Sequence, residues 1–331
     1  MKFAVRERLR VTVYAFTLKR DILMFSSLLI VAGQVLTLFL LMGTGFFLRK
    51  KDKFSDKTQE QITFLLLYLV APSLVIDSMQ IERSDEILRT AGGAAVACVI
   101  FFAIAVIVAL VVFPKKPPDT RDVLRFGSIY SNVGFMGFPL IRAILGEDAM
   151  VYATVFLVIF QLFHWTHGVI IMGGRKNASL KKAILNPGMF GFAVGTLMFL
   201  LNLRLPWPVA NAVSFISSLN TPLAMLLIGA IMADADILKL LKLPHLYAGS
   251  FAKLIVVPAL TAAAIYPLHL NPLVYCSVVI LSAAPSAGVT SIFAERYKRD
   301  TITAAQLVTL STLLSIITLP VFAAAAQWLA G

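Results

Sequence analysis

The sequence is poor in charge. Only 14% of its residues are Asp, Glu, Lys or Arg, against roughly 25% in a soluble domain, and the shortage is uneven. Phe25 to Leu48, Thr90 to Phe113, Ala149 to Gly174, Ala183 to Leu203, Leu205 to Ala233 and Thr301 to Gly331 contain no charged residue at all. A membrane span takes about 20 predominantly apolar residues, so each run is long enough to cross a bilayer. None alternates apolar with polar residues as a barrel strand does, and where water is missing a helix satisfies its own backbone. Cysteine is scarce as well. Cys98 and Cys276 both sit inside apolar segments, which excludes a disulfide framework and a cysteine metal site and leaves small apolar packing. Acidic residues are few, 17 against 29 basic ones, for a net charge of +12. The basic residues fall in short loops between spans, so the excess reads as a positive-inside bias and not as a nucleic-acid surface. There is no Walker P-loop, no His-Glu-x-x-His, no Asp-rich metal pair and no Gly-x-Ser-x-Gly. ATP as direct energy source is thereby excluded, and no cofactor or metal is expected.

What is present predicts an all-α membrane protein of about ten transmembrane helices, near 25–48, 61–80, 90–113, 122–145, 149–173, 183–202, 209–232, 246–266, 272–294 and 301–329. From residue 24 onward, 18 Lys and Arg lie in or beside the loops from odd to even spans, and four in the other loops. This bias puts the odd-to-even loops in the cytoplasm and both ends of the core outside. Residues 1–23 carry six Lys and Arg and no apolar core; a basic N-terminal arm or a start-site artefact is expected there. The halves also correspond. Gly43-Thr44 matches Gly195-Thr196, Pro72 matches Pro222, Gly137 matches Gly288 and Asp148 matches Asp300, all at offsets of 150 to 152. Two five-helix repeats, 24–174 and 183–331, follow. Five is odd, so the second copy must insert upside down, the inverted-repeat plan of many secondary transporters.

The chemistry concentrates in Ser131-Asn132-Val133-Gly134-Phe135-Met136-Gly137-Phe138-Pro139, in the middle of span 4. Proline removes a backbone donor and clashes with the preceding turn, and glycine lowers helix propensity, so two half-helices joined by unwound backbone are expected. Span 9 has the counterpart Ser282-Ala283-Ala284-Pro285-Ser286-Ala287-Gly288. Half-helix N-termini would offer N–H groups and positive dipole ends to an anion, and Asn132 adds an amide donor. Ser131, Asn132, Gly134, Pro139, Ser282, Pro285 and Ser286, with Pro72 and Pro222, are the candidate substrate-binding residues. Lys253 is the lone basic residue well inside a span. Burying its ammonium costs at least about 2.5–3.5 kcal/mol. Carbonyl ends of broken helices, a carboxylate or the substrate would compensate it, unless it snorkels to the cytoplasmic interface. Asp77, one turn after Pro72, either takes up a proton near the solute or sits at the outer interface; Lys253 and Asp77 are the candidate coupling or charge-balancing groups. His164 and His167 share a face of span 5 beside Trp165, which suits an interfacial belt.

Ser131-Asn132-x-Gly-Phe-x-Gly-Phe-Pro139, Lys253-Leu-x-x-x-Pro258 and Ala-Pro285-Ser-Ala resemble the auxin efflux carrier family, which includes bacterial malate and malonate permeases and the PIN-type auxin carriers of plants. The resemblance covers about residues 25–329. It implies a ten-helix inverted repeat with crossed, broken helices 4 and 9, a dimerising scaffold of helices 1, 2, 6 and 7, and a moving transport domain. The expected protein is therefore no enzyme. It is a multi-pass plasma (inner) membrane homodimer that moves a small organic anion by elevator-like alternating access, with the lipid bilayer as its surroundings and no nucleic acid as partner. A sodium-coupled carrier of the bile-acid-symporter type is the alternative in transport, and a membrane-embedded enzyme using His164 and His167 the alternative in catalysis.

Overall fold

The computed structural model describes residue 29 and residues 31–82, 84–115, 117–177, 185, 187–234 and 242–330. The basic arm 1–23 and most of the link between the expected repeats lie outside the described residues. Among the described residues there is no strand; beside a single 3-10 turn at Arg175–Asn177 there are twelve helices: α1 (Val31–Lys50), α2 (Asp56–Ser78), α3 (Asp85–Val112), α4 (Pro118–Ile129), α5 (Val133–Leu145), α6 (Glu147–Gly173), α7 (Pro187–Leu200), α8 (Trp207–Asp234), α9 (Pro244–Leu268), α10 (Pro272–Ala283), α11 (Val289–Arg296) and α12 (Thr301–Ala330). Seven of them, α1, α2, α3, α6, α8, α9 and α12, are long and apolar enough to cross a membrane.

The helices start where local chemistry allows. Ser84 caps α3 by accepting from the Ile87 N–H at 3.1 Å, with Asp85 and Glu86 in the first turn against the positive dipole end. Asn271 caps α10, accepting from the Leu273 N–H at 2.9 Å ahead of Pro272. Asp300 caps α12 through the Thr303 N–H at 2.9 Å, and its other oxygen accepts from the hydroxyls of Thr303 at 2.6 Å and Thr120 at 2.8 Å. Partial burial of Asp300 acts to raise its pKa. The hydrogen bonds from Thr303 and Thr120, with His245 nearby, outweigh it and hold the carboxyl below its ordinary value. A depressed folded value means stability that is present above about pH 4, where an unfolded Asp is ionised, and is lost as pH falls through the folded value. Unfolding curves at pH 7 and in that acid window are expected to show the loss in the parent and a flatter pH profile in Asp300→Asn.

Prolines leave a recurring signature. Three π turns, Leu66–Val70, Val133–Gly137 and Ala252–Val256, each end two residues before a proline, at Pro72, Pro139 and Pro258. Proline offers no N–H and crowds the carbonyl four residues back, and one wider turn accommodates that without ending the helix. A fourth π turn, His164–Gly168 in α6, has no such proline.

Small residues let helices approach closely. A Cβ added at Gly229 on α8 would run into the Met42 carbonyl oxygen and lie 2.9 Å from the Phe46 nitrogen, and one at Gly45 on α1 would strike the Leu226 carbonyl. In lipid, such backbone contact is what holds helices together. Gly229→Ala must therefore push α1 off α8. It is expected to lower the melting temperature of the detergent-purified protein markedly, since overpacking costs about 1–3 kcal/mol, whereas Gly43→Ala, which faces open space, should not. The second half of α2 packs against α7 and α8, α3 against α6 and α9, and α10 against α12.

Candidate binding site at the crossed interruptions

The polypeptide is unwound at two places inside otherwise helical segments. After α4, Tyr130 is extended (φ −91°, ψ 106°) and Asn132 is non-helical (φ −76°, ψ 64°). After α10, Ala284 is extended (φ −60°, ψ 145°) and the chain resumes as α11 at Val289. The two interruptions pair with each other as a single antiparallel bridge between Ser131 and Ser286. The Asn132 N–H donates to the Pro285 carbonyl at 2.7 Å, and the Ala287 N–H donates to the Tyr130 carbonyl at 2.9 Å. Backbone polar groups freed by the unwinding thus satisfy one another in an interior that offers no water. The Ser286 hydroxyl adds a bond to the Gly127 carbonyl at 2.8 Å, and its N–H bonds to the Ser311 hydroxyl at 3.2 Å.

Lys253 lies under this crossing. It sits in the π turn of α9 and has no solvent exposure. Its Nζ donates to the Ser131 hydroxyl at 2.6 Å and to the Ser282 carbonyl at 2.7 Å, with the Phe101 ring 5.6 Å away. Snorkelling is therefore overturned. The ammonium is held by a hydroxyl and by the carbonyl end of α10, which carries partial negative charge. Among the described residues no carboxylate pairs with it. Asn132, 4% exposed, anchors the first turn of α5 through its backbone: its carbonyl accepts from the Met136 and Gly137 N–H groups at 3.2 and 3.0 Å. Its side-chain amide makes no hydrogen bond among the described residues and remains available to a ligand.

The other predicted residues are placed less centrally. Pro285 is in the second interruption, whereas Pro139 lies in the first α-helical turn after the π turn, well past the first interruption. The first break belongs to Tyr130–Asn132 and not to Pro139. The Gly134 carbonyl, which the widened turn leaves open, accepts from the Asn220 side chain at 2.7 Å, two residues before Pro222 on α8. Pro72 packs its backbone on Gly191 of α7. Asp77 accepts from the Ser217 hydroxyl at 2.7 Å and faces the Arg142 guanidinium at 3.9 Å, so it ties α2 to α8 and α5. His164 is no belt residue. It is buried in a cage of Phe126, Tyr130, Phe160, Trp165 and Phe293, with neither ring nitrogen hydrogen-bonded among the described residues.

A family profile described as membrane transport protein matches residues 30–323. The chain belongs to that family. The resemblance of its motifs to auxin efflux carriers is thereby borne out, and the chain is a multi-pass membrane transporter. A relative in Methanothermobacter thermautotrophicus, described as an "uncharacterized transporter", is 22% identical over 307 residues, covering 87% of this chain and 96% of its own. Another, in Rhizobium meliloti, is named "Putative malonate transporter" and is 22% identical over 312 residues, covering 87% and 93%.

Two residues of this transporter's crossing were missed in the sequence. Tyr130 supplies the backbone carbonyl of the bridge, and its hydroxyl donates to the Phe163 carbonyl at 2.9 Å and lies 3.1 Å from His167 Nδ1. Asn220 holds the π turn from α8. The signal for Asn220 was its place: a polar side chain in an uncharged span, just before Pro222. Tyr130, flanking a Ser-Asn pair, gave none.

Proposed function

We propose that this protein is a secondary transporter of a small organic anion, a carboxylate, in the plasma membrane. The observation that carries the reading is Lys253: a fully buried lysine amine at the crossing whose contacts are a hydroxyl, a carbonyl and an aromatic ring. A charge so placed needs a counter-charge. A carboxylate arriving between the interruptions would supply it, with the free Asn132 amide as donor. The name of the Rhizobium relative makes malonate the first candidate. The sodium-coupled alternative is weaker, because a sodium ion would meet an ammonium there and no group of acidic, Cys or His ligands occurs among the described residues. An enzyme built on His164 is weaker too, since that ring is enclosed by aromatic side chains.

In this reading the twelve helices make ten passes, α4 with α5 and α10 with α11 each forming one broken pass. Residues 24–174 and 183–331 are inverted copies, and Ser131 and Ser282, 151 residues apart and both on Lys253, are repeat equivalents. Helices α1, α2, α7 and α8 form the scaffold of a homodimer, and the crossing moves past it with its solute. The close α1–α8 and α2–α7 contacts suit a rigid scaffold. Counterflow of labelled mono- and dicarboxylates in sodium-free proteoliposomes tests this. Exchange of malonate or a similar acid is expected; exchange only with sodium present, or of cations alone, would refute it.

A further inference from the structure

A cavity of about 370 Å³ opens where the C-terminal ends of α3 and α6 meet α4; its lining reaches Ile129 and His167, beside Tyr130 of the crossing, but includes neither Lys253 nor the Ser131, Ser282 and Asn132 side chains around it. Arg121 and Arg125, one turn apart on α4, and Arg299 from the loop before α12 line it. Two of these guanidinium groups are engaged. Arg121 Nε donates to Asp122 at 3.0 Å, and Arg299 binds Asp119 at 2.6 Å, the Met172 carbonyl at 2.7 Å and Asp122 at 3.7 Å. Arg125 is different. No carboxylate pairs with it among the described residues, and its Nε is buried without a hydrogen-bond partner. Three guanidinium groups thus share two carboxylates, and Arg125, which feels Asp122 only at longer range, carries a buried Nε donor that is costly to leave unpaired.

The opposite wall is aliphatic and open to the outside. Leu110 is 50% exposed and Ile170 is 39% exposed, and Ile107 and Val111 continue the apolar surface along α3. Both α3 and α6 are candidate spans, so this surface meets hydrocarbon, and the helix ends place the arginines at headgroup depth. By the count of Lys and Arg, the loops here belong to the basic, cytoplasmic side. A ligand with an anionic oxygen cluster at one end and hydrocarbon at the other fits both walls. A soluble dicarboxylate would leave the aliphatic wall unused.

We infer that this cavity holds the phosphate of an anionic phospholipid of the cytoplasmic leaflet, with Arg125 as its principal donor. A guanidinium fork matches two phosphate oxygens at once, and basic pockets beside spans on this side suit anionic lipid headgroups.

The test uses the purified full chain in detergent, with melting temperature and native mass spectrometry as readouts. Phosphatidylglycerol is expected to raise the melting temperature by several degrees and to stay bound. Phosphatidylcholine and inorganic phosphate are expected to do neither. Arg125→Gln should melt like the parent without lipid and lose the phosphatidylglycerol shift, while Arg89→Gln keeps it. Arg125→Lys, which retains charge and loses the fork, should bind phosphatidylglycerol about tenfold more weakly and serves as the deciding variant if Arg125→Gln does not fold. An equal shift with phosphatidylcholine, or parent-like lipid binding in the Arg125 variants, overturns the assignment. A shift reproduced by inorganic phosphate alone overturns the lipid and makes this a soluble-phosphate site.

Discussion

Lys253→Met is expected to cut transport about a hundredfold while leaving the melting temperature unchanged or raised. The side chain makes two charge-assisted hydrogen bonds, to Ser131 and to the Ser282 carbonyl. Its charge-assisted interaction with an incoming carboxylate, which methionine cannot make, is worth roughly 1.5–3 kcal/mol, and about 1.4 kcal/mol is tenfold in an equilibrium constant. Methionine has nearly the same length, fills the space, and removes both bonds together with the positive charge. Stability responds differently. A buried charge without an ionic partner is costly, and replacing it by an apolar near-isostere relieves that cost. A purely structural lysine would show the reverse pattern, loss of stability with normal turnover in whatever protein folds. Lys253→Arg is not expected to rescue. The site is fully enclosed, and a guanidinium adds bulk that a packed interior rejects. Ser131→Ala, which leaves the Ser282 bond intact, should fall between parent and Lys253→Met. Uptake in proteoliposomes with matched protein content, alongside melting curves, checks all three; parent-like uptake by Lys253→Met would sink the idea.

Asn132→Ala is expected to weaken anion binding about ten- to hundredfold with no loss of membrane expression, by the same worth of a charge-assisted hydrogen bond. The substitution is clean because the roles of this residue divide. Its backbone N–H holds Pro285 and its carbonyl holds the start of α5, and alanine keeps both. Only the side-chain amide, which has no partner among the described residues, is removed. Asn132→Asp should be worse than alanine at neutral pH, because it sets an anion against an anion. Equilibrium binding of labelled malonate to the purified variants measures the series. If Asn132→Asp binds as tightly as the parent, the site lies elsewhere.

Much of the fold was legible because bilayer spans are long and uncharged, and because prolines and glycines in the middle of such spans are informative. The segments around Asn132 and Pro285 stood out for that reason, and both interruptions are there. What could not be read was which residue breaks the helix. Pro139 was the obvious breaker, yet its clash is absorbed by the π turn Val133–Gly137, while the unwinding is set one turn earlier by pairing with Pro285 and Ala287, some 150 residues away. A carbonyl end of a broken helix was among the partners expected for Lys253, but which one, and the Ser131 hydroxyl beside it, could not be read, since Ser131 and Ser282 are 122 and 29 residues distant. Position along the span left snorkelling open as the alternative, whereas the tertiary fold turns Lys253 inward. His164 was misplaced because an i, i+3 pair beside a tryptophan looks alike at an interface and in a core. Only the packing of Phe293 from α11 against it decides.

The most direct test of the account is ligand charge at the crossing, measured as binding of labelled malonate and of its uncharged diamide to the purified protein in sodium-free buffer. The account predicts that malonate binds saturably without sodium, that the diamide does not compete, and that Lys253→Met abolishes the difference. Equal competition by the diamide, or malonate binding that appears only when sodium is added, would contradict it.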